Sequence, residues 1–251
     1  MYLISKNNST KPVVGTSACL MGETVRYDGA DKKHTLLNEV LAPHLQLQSF
    51  CPEVAAGLGV PRPPVRLVRS SDSAPRAIGV ADSGIDVTEE LTEVSTNYLQ
   101  YARSSELCGF IFQSRSPSCG FQSTPVYGAK PGETEPLAFG NGIFAGFIHN
   151  QLNYLICVED TWLRDKGQCY LFLAAVILTR GQEFSGPVDP ELISLITGQP
   201  SGDGETLRDE IGEGLAILLS LRELEKPLPE LSSIRNEKAA LCRRLSKYFE
   251  A

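Results

Sequence analysis

The chain contains no apolar run approaching the ~20 residues that a membrane span requires, no excess of basic residues and no CxxC pair. The first absence excludes an integral helical membrane protein. The second counts against a nucleic-acid binder, because a net charge of −7 offers no general basic face to a phosphate backbone. The third removes zinc ribbons and thioredoxin-type redox motifs. The opening residues Met1–Pro12 lack the apolar stretch and small-residue cleavage site of a signal peptide, which predicts a cytoplasmic protein. No internal repeat or low-complexity tract interrupts the 251 residues, and 42% hydrophobic with 21% charged content suits a folded soluble chain.

What is present is a pattern of cysteines. There are seven, an odd number in a chain expected to be cytoplasmic, so reduced thiols are expected rather than a disulfide framework. Cys108, Cys157, Cys169 and Cys242 have apolar or helical neighbours and read as small core residues. The other three each sit just beyond a short apolar run: Cys19 after Val13–Ser17, Cys51 after Leu45–Phe50, Cys119 after Cys108–Phe112 and a turn, Gln113–Ser118. If those runs are parallel strands of one sheet, all three thiols gather at its carboxyl edge, where open α/β folds hold ligands. Separations of 32 and 68 residues define no local metal motif. Residue types alone therefore leave two readings, a metal or cluster site or three structural cysteines. Soft thiolates would select zinc, copper(I) or iron–sulfur.

Runs and periodicities order themselves as strand, helix, strand, helix, strand, helix, strand. The helices are expected around Leu36–Leu41, from Asp86 with Glu89 as a capping box, and over Ile143–Gln151; the last strand is Tyr154–Val158. Residues 61–85, rich in proline, serine and arginine, read as a long surface excursion. The alternation predicts an α/β fold, a doubly wound and mainly parallel sheet of Rossmann type over residues 1–164. Residues 165–251 show only helical patterns (Tyr170–Leu178, Leu207–Leu224, Ser233–Phe249) and form a C-terminal helical extension. Arg62, Arg66 and Arg69 are either carboxylate-paired or a subsite for a phosphate or carboxylate.

Six blocks occur in order: Ser17-Ala-Cys-Leu, Val25-Arg-Tyr-Asp-Gly, Cys51-Pro-Glu-Val, Gly57-Leu-Gly-Val-Pro-Arg-Pro-Pro-Val-Arg-Leu-Val, Ser116-Pro-Ser-Cys-Gly and Gly142-Ile-Phe-Ala. Together they closely resemble the thiouracil desulfidase family, over roughly residues 12–160. The resemblance implies a [4Fe–4S] cluster on Cys19, Cys51 and Cys119, with one iron free of protein ligand, and the conversion of a thiolated pyrimidine to uracil and sulfide. The substrate class is 4-thiouracil or its nucleoside or nucleotide, a small molecule rather than tRNA. The resemblance also points to Glu53 and Ser116 as catalytic positions. We read Glu53 as the base for water, against a helix-capping role, and Ser116 as a substrate or proton contact, against a turn-stabilising one; Ser17 and Ser118 are further candidates for the cluster's surroundings. Two departures stand out: Ala30-Asp-Lys-Lys replaces the family's usual Gly-His-Lys, and Gln113 or Arg115 stands where a lysine is common. A non-catalytic iron–sulfur or metal-binding sensor and a zinc-dependent hydrolase are the alternatives; oligomeric state is left open.

Overall fold

The computed structural model describes residues 11–70, 73–129, 134–152 and 155–180. Within them, four strands form a parallel sheet in the order β2 (Gln46–Phe50), β1 (Val13–Ser17), β5 (Gly109–Phe112), β8 (Ile156–Glu159). The chain runs outward from β1 to β2, then crosses back to β5 and β8. The switch therefore falls between β1 and β5, the place where such sheets open a crevice at their carboxyl ends. Both faces are covered. Val14, Ile111, Ile156 and Val158 pack on one side with the helical turn Leu37–Leu41 and with Phe172, Leu173 and Val176 of α4 (Lys166–Arg180). Phe110, Phe112 and Cys157 pack on the other with Tyr98 and Leu99 of α2 (Thr88–Ser104) and Phe144 and Ile148 of α3 (Ile143–Gln151). This is the expected α/β architecture.

Residues 61–85 are not a surface excursion. They contain β3 (Val65–Arg69) and β4 (Arg76–Gly79), an antiparallel pair in a second sheet of order β4-β3-β6-β7, with β6 (Thr124–Gly128) and β7 (Ala138–Gly140). Leu67, Ala77 and Val126 point inward and pack against Val87 and Leu91 at the start of α2. Arginines at the neighbouring strand positions conceal that period of two in the sequence. Asp86 pairs with Ile78 across this sheet, so α2 begins only at Thr88, and the predicted capping box at Glu89 does not form. Asp86 instead accepts the Thr88 N–H at 3.0 Å and pairs with Arg76 at 2.6 Å.

α4 buries Phe172, Ala175 and Val176 completely in the sheet's own core, so this first helix of the expected extension is a layer of the α/β unit. The helices expected over Leu207–Leu224 and Ser233–Phe249 lie outside the described residues. Among the described residues no helix is long and apolar enough to cross a membrane.

The turn carrying Cys119 is built against the start of α3. The carbonyls of Pro117 and Ser118 accept the N–H groups of Ile143, Phe144 and Ala145, donors that a helix N-terminus otherwise leaves without partners. Gly142 permits that approach, because a Cβ there would lie 2.6 Å from the Ser118 carbonyl. Gly142→Ala should therefore cost about 1–3 kcal/mol, read as a lower urea midpoint, and should loosen the Cys119 turn, read as faster thiol labelling.

Candidate functional site

Three elements deliver the thiols. Ser17 pairs with Phe50 in the parallel register of β1 and β2, so Cys19 and Cys51 leave neighbouring strands within two residues of the sheet edge. Cys19 sits in the single helical turn Ala18–Met21, and Cys51 precedes the short helix α1 (Pro52–Ala55). Cys119 returns to the same edge in the turn that follows β5. All three line one cavity of about 680 Å³, together with Arg26, Lys32, Glu53, Arg62, Gln113, Arg115 and Ser116. That volume falls within the usual range for small-molecule sites.

Burial pushes all three thiols up: Cys19 to about 11, Cys51 upward, and Cys119 well above its ordinary value. After burial, the nearby Cys51 charge adds to the rise at both Cys19 and Cys119. Such thiols become ligands only when a cation replaces their protons. Among the described residues no three His, Cys, Asp or Glu side chains converge so as to hold one metal ion. A cluster distributes its ligands, one thiolate to each of three irons, and asks for soft donors on a shared wall. The donor set fits that requirement.

Glu53 lies two residues after Cys51 and is buried. Its Oε2 accepts from Arg62 Nε at 2.7 Å and is ion-paired with Arg62 Nη2; its Oε1 accepts from Ser118 Oγ at 2.8 Å. The carboxylate is thus held by side chains from two other segments and is not a helix cap; α1 has no side-chain cap. Arg62 also donates to the carbonyls of Val25 and Gly59, so the first of the three arginines is carboxylate-paired. Arg66, stacked 5.0 Å over the Tyr127 ring, and Arg69 belong to β3 and are not in the cavity wall.

Ser116 Oγ accepts the N–H groups of Cys119 at 3.0 Å and Ser118 at 3.3 Å. It stabilises the turn and still keeps its own proton to donate at the cavity wall. Ser17 Oγ accepts the Gln113 N–H at 3.0 Å and lies within hydrogen-bonding reach of the Cys119 thiol. Asp28 accepts the Ala30 N–H at 3.1 Å, a turn role.

Asp160 escaped the sequence reading, and Gln113 was singled out there only as a departure from the family's usual lysine. Asp160, buried at the end of β8, accepts the Ser114 N–H at 2.7 Å and pairs with Lys32 at 2.9 Å, tying the 22–34 loop to the turn after β5. Burial would raise its pKa, but the Ser114 and Lys32 contacts outweigh burial and hold the carboxyl below its ordinary value. Gln113 Oε1 accepts from Arg26 Nη1 at 2.9 Å and lies 3.7 Å from Cys19 Sγ. Only the order of blocks in the chain hinted at these pairings.

These features define an α/β protein with a thiol-lined crevice at its sheet edge, and comparison with known proteins sharpens that class. The 2-thiouracil desulfurase family profile matches residues 14–160, more than half of the chain. The chain belongs to that family. Among solved structures, the [4Fe–4S]-dependent thiouracil desulfidase TudS is similar at 28% identity, covering 61% of this chain and 93% of that one, with a TM-score of 0.49. No curated protein sequence matches the chain.

Two stability predictions follow from the ion pairs. Arg62→Ala strands Glu53 as a buried carboxylate without a countercharge and should cost about 3–5 kcal/mol in denaturant unfolding. Asp160→Asn should cost about 1–3 kcal/mol at pH 7. Because the folded carboxyl is depressed, its contribution is complete above the unfolded value near 3.8 and is lost as pH falls through the lower folded value. The gap between wild type and Asp160→Asn should therefore begin to narrow below about pH 4 and close as pH falls through the lower folded value.

Proposed function

We propose that this protein removes the sulfur of a thiolated pyrimidine, 4-thiouracil or its nucleoside or nucleotide. The balance is hydrolytic and non-redox: C=S and water become C=O and hydrogen sulfide. The observation that supports it best is the gathering of Cys19, Cys51 and Cys119 on one cavity wall beside the buried Glu53. Membership of the desulfurase family supports the reaction class.

In this reading the three cysteines hold a [4Fe–4S] cluster. Bound there, it supplies an iron without a protein ligand, a Lewis acid with affinity for sulfur. Glu53 orients the attacking water and takes its proton, with Arg62 and Ser118 fixing the carboxylate's direction. Ser116 donates its remaining proton to a ring heteroatom and orients the base. Phe50 and Pro52 supply apolar wall, limiting water around the reacting carbon. The substrate is small, consistent with the cavity size and the net charge of −7.

The test is anaerobic purification with iron and sulfide analysis, then a thiobase absorbance-decay assay with both 2- and 4-thiouracil. About four irons per chain and decay of the 4-thiouracil band are expected. Alanine at Cys19, Cys51 or Cys119 should abolish both colour and activity. Glu53→Gln should keep the cluster and lower turnover by about 10²–10⁴-fold. An iron-loaded protein with no turnover of either base would favour a sensor instead.

A further inference from the structure

Four cationic side chains line the cavity, and their charges are not equivalent. Arg62 is neutralised by Glu53, and both side chains are nearly buried. Lys32 is neutralised by Asp160, whose side chain is 5% exposed. Arg115 is exposed, where water and salt screen it. Arg26 differs from all three. Its carboxylate neighbour is Asp28, 3.5 Å away and 42% exposed, while its own side chain is only 27% exposed. Pairs of that kind contribute little, so most of the Arg26 charge is available to the cavity.

Gln113 determines where that charge points. Its backbone N–H is held by Ser17, its Nε2 donates to the Ser114 carbonyl, and its Oε1 accepts from Arg26 Nη1. The same Oε1 accepts from the Cys19 thiol, whose sulfur is 3.7 Å away. A neutral amide held at three points thus draws the guanidinium toward Cys19 without cancelling its charge.

We propose that Arg26, aimed inward by Gln113, is a positioning residue that balances the negative charge of the three thiolates and so sets the retention and reduction potential of the cluster they hold. The inference rests on the cluster reading above. Three thiolates leave a bound [4Fe–4S] centre with net negative charge, and such centres respond to nearby charge and to outer hydrogen bonds. A fixed cation favours the more negative, reduced form and slows loss of iron.

The experiment uses the full chain, reconstituted anaerobically with iron and sulfide, in wild type, Arg26→Gln, Arg26→Lys and Gln113→Glu. Midpoint potential is measured by dye-mediated titration, and iron loss by transfer to a ferrous chelator. Arg26→Gln should lose iron about tenfold faster or more. It should also lower the potential, a tenfold change in the redox equilibrium being about 59 mV for one electron. Gln113→Glu keeps the hydrogen bond from Arg26, gives up the donation to the Ser114 carbonyl and cancels the charge, and should shift both readouts the same way. Arg26→Lys keeps the charge and should remain near wild type. If Arg26→Gln does not fold, Gln113→Glu and Arg26→Lys carry the same comparison. Unchanged potential and iron loss in Gln113→Glu, or Arg26→Lys falling as far as Arg26→Gln, would overturn the proposal. A wild-type chain that takes up no iron would overturn the cluster reading itself, and this inference with it.

Discussion

The parallel register of β2, β1 and β5 is the constraint on which the rest of the molecule depends. Neighbouring strands lie about 4.8 Å apart, and all three run in the same direction, so the segments that leave them emerge side by side at one edge. Cys19 and Cys51 follow their strands within two residues. Cys119 needs a longer return, and the start of α3 provides it by taking the carbonyls of the turn as its own caps. Gathering three thiols from segments so far apart in the chain is therefore a property of the sheet, with the loops supplying the last few ångströms.

Burial at that edge creates an electrostatic problem, which the structure solves pairwise. Each buried carboxylate meets a cation from another part of the chain, Glu53 with Arg62 and Asp160 with Lys32. Buried pairs of this kind offset desolvation and are costly to break. They also fix the cavity walls, since each pair joins two segments that the strands alone do not connect. The thiols are compensated only in part: Arg26 and Lys32 act on Cys19 and Arg62 on Cys51, yet burial still pushes all three up, so holding them as thiolates takes further positive charge. A metal centre would supply that charge.

Much of this was legible in the chain itself, for identifiable reasons. The continuous apolar run ending at Phe112 marks a central strand because both its faces are covered, and the shorter run that opens at Val13 marks its neighbour. Leu91, Tyr98 and Ala102 mark α2 because one face of it is buried. The second sheet was not legible. In β3 and β4 the outward positions mix Arg66 and Arg76 with Val68 and Ile78, Arg69 shares the face of Leu67, and Leu67 and Ala77 are too few to stand out among prolines and serines. The start of α2 was misplaced for a related reason: a long-range pairing of Asp86 with Ile78 holds that residue extended, and no local signal reports such a pairing.

The cysteines, the order of the motif blocks and the apolar runs before them are written in the sequence, and they sufficed for the fold class, the family and the three thiols as one set. Periodicity and residue chemistry are local, and a local pattern is what a single chain displays. Which groups touch was decided by tertiary structure. Glu53 received Arg62 and Ser118, Lys32 received Asp160, and Gln113 turned Arg26 toward Cys19, because strand register and loop path placed those residues together. Charge pairing acts over a few ångströms of space and is indifferent to distance along the chain, so only the folded arrangement could assign these partners.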